Sequence, residues 1–167
     1  MIAKQVAISG RLSLQPPSDM IAIVPVQTPN ALVQKALQTA CGLSHRVQVL
    51  HIKQENNQGD FVSEWNCHVR ASIKEAGLPE PELVIMESPY RKVVSPILDH
   101  IWKLERENPD KTVVVLIPQL IEAHWYYRFL HNQREMILRN ELLGKGENRI
   151  LIVNVPWQIE KHAAAPK

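Results

Sequence analysis

The chain has 167 residues, of which 45% are hydrophobic and 22% charged, so it has enough apolar side chain for one full core without disulfides or metal. A net charge of +2 is too small for the electrostatic footprint of a nucleic-acid binder, and two cysteines, Cys41 and Cys67, fit a reducing compartment better than a disulfide scaffold. The longest purely apolar runs, such as Val113–Ile117, fall far short of the ~20 residues of a spanning helix, and no signal peptide opens the sequence. The expectation is a soluble cytosolic domain, either free-standing or cut from something larger.

Residues 1–19 lack a helical stripe and end in Gln15-Pro16-Pro17-Ser18-Asp19, a stiff linker; Leu12 and Leu14 alternate about Ser13 as a short edge strand would. Residues 20–160 form the domain, and 161–167 a frayed tail. Within the domain, five β-branched runs read as strands: Ile21–Val26, Arg46–Ile52, Glu82–Glu87, Thr112–Pro118 and Arg149–Pro156. Three of them (IAIVPV, TVVVLIP, ILIVNV) are nearly continuous, as expected of strands covered on both faces of a parallel sheet.

Helical periodicity fills the gaps. Pro29–Leu43 aligns Leu32, Val33, Ala36, Leu37, Ala40 and Cys41, with Gly42 near the end. Asp60 is placed to cap a second helix with the stripe Phe61/Val62, Trp65, Val69, Ile73 and Ala76, stopped by Gly77 and Pro79. The third carries Val94, Ile97/Leu98, Ile101 and Leu104, with Pro96 in its first turn, and stops at Asn108-Pro109. The fourth runs from about Glu122 to Leu143, with Tyr126, Phe129/Leu130, Ile137 and Leu142/Leu143 on its stripe and Gly144 as its cap. Strand and helix alternate throughout, which predicts an α/β fold: a five-stranded parallel sheet with right-handed crossovers and helices on both faces. Such sheets bind ligands beyond the carboxyl ends of their strands, where the strand order reverses.

Familiar catalytic patterns are missing. No G-x-G-x-x-G follows a strand, and Gly144-Lys145-Gly146 lacks both the earlier glycine and the Ser/Thr of a phosphate-binding loop. No C-x-x-C or H-x-x-x-H pair suggests a metal, and neither Ser88 nor Ser95 lies in a G-x-S-x-G elbow. No catalytic residue is assigned. Two stretches stand out. Glu87-Ser88-Pro89-Tyr90-Arg91-Lys92 sets an acid, a hydroxyl, a ring and two cations past a strand end, which suits either a phosphate contact or a solvated turn. Trp125, Tyr126, Tyr127 and Phe129 place four of the nine aromatics within five positions, too many rings around one helix for a single core. Their composition fits subunit contact or the cover of a neighbouring loop better than a base-stacking pocket.

The order of several motifs resembles a known family. Ile23-Val24-Pro25-Val26 with Asn30, Val49-Leu50-His51-Ile52, Glu87-Ser88-Pro89-Tyr90-Arg91 with Pro96-Ile97-Leu98, His124-Trp125-Tyr126, Leu130-His131-Asn132-Gln133 and Val153-Asn154-Val155-Pro156-Trp157 are similar to the universal-stress-protein-like cytosolic domain of some bacterial permeases. Those permeases belong to the amino acid–polyamine–organocation (APC) superfamily, and the branch includes high-affinity potassium importers. Gly10-Arg11-Leu12 before Pro16-Pro17 resembles the segment joining the membrane core to that domain. The resemblance implies strand order 3-2-1-4-5 and a non-catalytic regulatory, dimerising role on the cytosolic face of the membrane, its partners a second copy and the membrane-embedded permease core. It carries no nucleic-acid partner. The glycine-rich ATP loop of universal-stress folds is replaced here by Gln119-Leu120-Ile121-Glu122-Ala123, which counts against the classical ATP site and leaves an adenine nucleotide or a cyclic dinucleotide such as cyclic di-AMP at the subunit interface as the open ligand class.

The residues selected for a polar ligand are Gln27, Asn30, His51, Ser88, Tyr90 and Arg91. Those selected for subunit contact are Trp125, Tyr126, Tyr127, His131 and Trp157. The alternative reading is a free-standing universal-stress-type protein that binds ATP or a cyclic dinucleotide.

Overall fold

A computed structural model of the chain describes residues 16, 18–54, 60–88, 94–121, 137–138, 140–142, 144 and 149–158. Five strands, β1 (Met20–Pro25), β2 (Arg46–Gln54), β3 (Glu82–Ser88), β4 (Thr112–Ile121) and β5 (Ile150–Gln158), form one sheet in the order β3-β2-β1-β4-β5. Every pairing is parallel. Fold class and strand order are as expected, because each apolar run is separated from the next by enough chain for a crossover.

Alternation along the strands sorts the core onto two faces. Ala22, Val24, Val47, Val49, Val114 and Leu116 pack with Val33, Ala36, Leu37 and Ala40 of α1 (Ala31–Leu43), and with Phe61, Trp65 and Ile73 of α2 (Phe61–Glu75). On the opposite face Ile21, Ile23, Leu50, Ile52, Val113, Val115 and Ile117 meet Ile97, Leu98, Ile101 and Leu104 of α3 (Val94–Glu107), and also Leu138 and Leu142. The continuous apolar runs of β1 and β4 follow from this double coverage.

The helix ends are fixed locally. Asn30 Oδ1 accepts from the Val33 N–H at 3.2 Å and opens α1. Ser44 closes it, its N–H donating to the Ala40 carbonyl while its hydroxyl donates to the Met20 carbonyl at 2.5 Å and so ties α1 to the start of β1. Asp60 caps α2 by accepting from the Ser63 N–H, and the Ser63 hydroxyl, with that N–H, holds its carboxyl below the usual carboxylate range. Gly77, at φ 64, ends α2 in the left-handed region that glycine enters without strain. Inside α2, Asn66–Arg70 is a π turn, which accommodates one extra residue. Ile73 therefore occupies the seventh α-helical step from Trp65, not the eighth, and both rest on the same core face.

Several expectations need correction. Two members of the predicted α2 stripe are exposed: Val62, which precedes the π turn and lies beside the buried Phe61, and Ala76, which follows that turn and is rotated outward by it. β4 continues to Ile121, three residues beyond the apolar run, because β5 stays paired to it as far as Gln158. Of the predicted fourth helix, residues 122–136 lie outside the described residues. Residues 137–138, 140–142 and 144 are helical, with Leu138 and Leu142 buried, whereas Ile137 is 49% exposed. The i, i+4 spacing of the two leucines sets the buried face and leaves Ile137 beside it. Gly144 is itself helical and has no left-handed φ, so it is not a left-handed cap. The expected edge strand near Leu12 and the tail 161–167 also lie outside the described residues.

β5 differs from expectation too. It closes one edge of the sheet, and Leu151 is 47% exposed, not covered on both faces. The Val113 N–H donates to the Arg149 carbonyl, so the odd-numbered residues of β5 turn their backbone groups towards β4. Ile150, Ile152, Asn154 and Pro156 therefore turn theirs outward, where proline sacrifices no ladder bond. Lys35 Nζ donates to the outward Pro156 carbonyl at 2.7 Å, and among the described residues no strand pairs with the row from Ile150 to Asn154.

Candidate functional site

Strand order reverses between β1 and β4, so the crevice expected in this architecture lies at their carboxyl ends. Two prolines open it. The Thr112 N–H donates to the Asp19 carbonyl, which fixes the odd residues of β1 and the even residues of β4 as the pair of facing rows. The bridged ladder stops at Ile23↔Val115. The next two rungs would need N–H donors from Pro25 and Pro118, and neither has one. The strands therefore continue past the last rung without joining.

His51 is the best-fixed polar group beside this opening. It is 3% exposed, and its ring stacks on Phe61 with centroids 3.7 Å apart and planes within 9°. Phe61 stacks in turn on Trp65 at 6.0 Å. His51 Nδ1 lies 3.1 Å from the Val26 carbonyl. A carbonyl only accepts, so the proton is on Nδ1, and Nε2 of the neutral ring is a hydrogen-bond acceptor. Burial holds the imidazole below its ordinary pKa, with the Val26 bond opposing more weakly, so the ring is neutral near pH 7.

The other predicted ligand residues are less concentrated. Gln27 and Asn30 sit in the exposed turn between β1 and α1, with Asn30 committed to capping. Ser88 is buried at the end of β3. It pairs with Gln54, three positions beyond the His51↔Ile85 pair, and alternation places it on the α3 face, with Val84 and Met86, and not on the α2 face with His51. The structure thus brings Gln27, Asn30 and His51 to one side of the opening and sets Ser88 apart. Tyr90 and Arg91, and Trp125, Tyr126, Tyr127 and His131, lie outside the described residues. Trp157 pairs with Leu120 in the β4–β5 ladder, and nothing is described of its side chain. Sequence reasoning missed Phe61 as the partner of His51, Lys35 as the cation on β5, and the meeting of Pro25 with Pro118. The residues were visible, but their pairing across elements was not.

Among the described residues no three His, Cys, Asp or Glu side chains come together as a metal site, and no helix is long and apolar enough to cross a membrane. The arrangement sets a neutral imidazole and an apolar ring stack next to a β1–β4 ladder that ends early, the place where sheets of this topology hold ligands.

Comparison with known proteins adds the family. Residues 18–157 match the family described as the KimA potassium transporter C-terminal domain. The potassium transporter KimA of Bacillus subtilis (strain 168) is 28% identical over 144 residues, which cover 84% of this chain and 22% of that protein. The chain thus spans about a fifth of the length of this relative.

Proposed function

This chain belongs to the KimA potassium transporter C-terminal domain family, and on that premise we propose that it is a non-catalytic, self-associating cytosolic domain that regulates an APC-type potassium permease. The observation that carries the reading is the extent of the family match, which runs from ahead of β1 to the penultimate residue of β5. The strand order 3-2-1-4-5 supports the likeness to universal stress proteins. Potassium passage itself belongs to the membrane part of such a transporter, and this domain acts by biasing that part between states.

Two features support the regulatory role. The open β1–β4 crevice beside His51 gives a small polar ligand a place to bind, and a nucleotide such as cyclic di-AMP has the ring donors that an acceptor nitrogen recognises. The open outer row of β5, with Leu151 exposed, gives a second copy a place to dock. A ligand changes transport only if it binds one arrangement of the copies more tightly than the other.

Light scattering during size exclusion and thermal unfolding with added nucleotide test the two parts separately. A dimer at tens of micromolar is expected. Cyclic di-AMP at a hundredfold its Kd is expected to stabilise the fold by about 2.7 kcal/mol. A monomer at that concentration would remove the self-association reading. A transition unmoved by millimolar ATP and by cyclic di-AMP would remove the nucleotide reading.

A further inference from the structure

We propose that His100, Gln48 and Glu82 form a proton-responsive latch that holds α3 against the β2–β3 margin of the sheet and loosens on acidification. The latch stands on a continuous chain of polar groups across three elements. Gln48, on β2, is 4% exposed and lies on the same sheet face as Leu50 and Ile52, under α3. Its Nε2 donates to Glu82 Oε2 of β3 at 2.7 Å, and its Oε1 lies 3.0 Å from His100 Nε2 of α3.

The chemistry fixes every orientation. An ionised carboxylate only accepts, so Gln48 turns its amide nitrogen to Glu82 and its oxygen to His100. That oxygen needs a donor, so His100 carries its neutral-state proton on Nε2. A second proton must enter at Nδ1. Acid therefore leaves the latch's hydrogen bonds intact but puts a full charge on a half-buried ring.

The charged groups around the ring pull in both directions. Lys103, on the same helix, opposes the cation, whereas Glu107, also on α3, and Glu82 of β3 favour it. β2 contributes only the neutral Gln48 at this point, because Arg46 reaches α3 farther along, at Asn108. Burial is the largest influence and, together with Lys103, holds the imidazole below its ordinary pKa. Packed α3 thus prefers neutral His100, and a freed helix lets the ring take up its proton in water.

His51 is a second buried histidine, but it packs against α2 on the opposite face, so exchange resolved by helix separates the two. The test follows His100 ring shifts by NMR and backbone hydrogen-exchange protection of α3 on the whole 167-residue chain from pH 5 to 8. The Nε2–H tautomer is expected at pH 8, with a titration midpoint below the imidazole's ordinary ~6.5. Protection of α3 is expected to fall with pH below that value, by at most about tenfold per unit for a single proton. His100→Gln keeps a donor without a titration and flattens the dependence. Glu82→Gln removes an attraction for the cation and moves the His100 midpoint lower. An Nδ1–H tautomer, a midpoint at or above 6.5, α3 protection that ignores pH, or an unchanged dependence in His100→Gln would each overturn the latch.

Discussion

His51 anchors the carboxyl-end site, and replacing it with alanine tests whether that end is pre-built. The substitution removes the bond to the Val26 carbonyl and the face-to-face stack on Phe61. The first loss is worth about 1 kcal/mol, rising to about 3 if the carbonyl stays dry, and the second about 0.5–1.5 kcal/mol. Together they predict a destabilisation of about 2–4 kcal/mol at pH 7.5, read as a lower urea midpoint or a melting temperature lower by roughly 5–15 °C. Phe61→Leu keeps the Val26 bond and loses the ring stacks on His51 and Trp65, at a cost of about 1–3 kcal/mol. The pH dependence carries a sign. The folded state holds this imidazole below its unfolded pKa, so the unfolded chain binds more protons as pH falls past about 6.5. Wild-type stability therefore declines on acidification through that window, and the gap between wild type and His51→Ala narrows. A cost under about 0.5 kcal/mol at pH 7.5, or a gap that widens in acid, would refute the idea that His51 is locked in place as a neutral acceptor.

Other substitutions probe the frame that positions the site. Arg149 Nη1 donates to the carbonyls of Glu105 and Asn108 at the end of α3, where a cation also suits the helix dipole. Arg149→Ala should cost about 1–2 kcal/mol by urea unfolding and speed exchange in the last turn of α3. Leu142, 1% exposed, should lose about 2–5 kcal/mol on truncation to alanine if the helical residues near it are a true layer of the core. Gly77→Ala meets no steric neighbour but must hold φ near 64°, so it should cost about 1–2 kcal/mol, with Gly77→Asn milder in the same assay.

The sequence alone carried the sheet. Runs such as Val113–Ile117 are apolar at every position because β4 is covered on both faces, and that coverage leaves a one-dimensional trace in the sequence. Two helix ends were equally legible: Asp60 and Gly77 act within a turn of their own position, so their spacing is their mechanism, whereas Asn30, selected as a ligand residue, proves to be a cap and Gly144, read as a cap, is helical. Edge exposure was not. β5 reads like a central strand, and only the structure shows that it ends the strand order with Leu151 exposed.

Everything in the site that depends on two distant residues was decided by tertiary pairing. Pro25 and Pro118 are separately unremarkable at strand ends, and they open the crevice only because the β1–β4 register sets their missing donors in facing rows. Gln48 looks like a polar lapse in an apolar strand until Glu82 and His100 approach its two ends. Periodicity records which side chains leave water, a property each residue shares with its near neighbours. Which groups then meet depends on register and crossover, which are set by contacts among segments tens of residues apart.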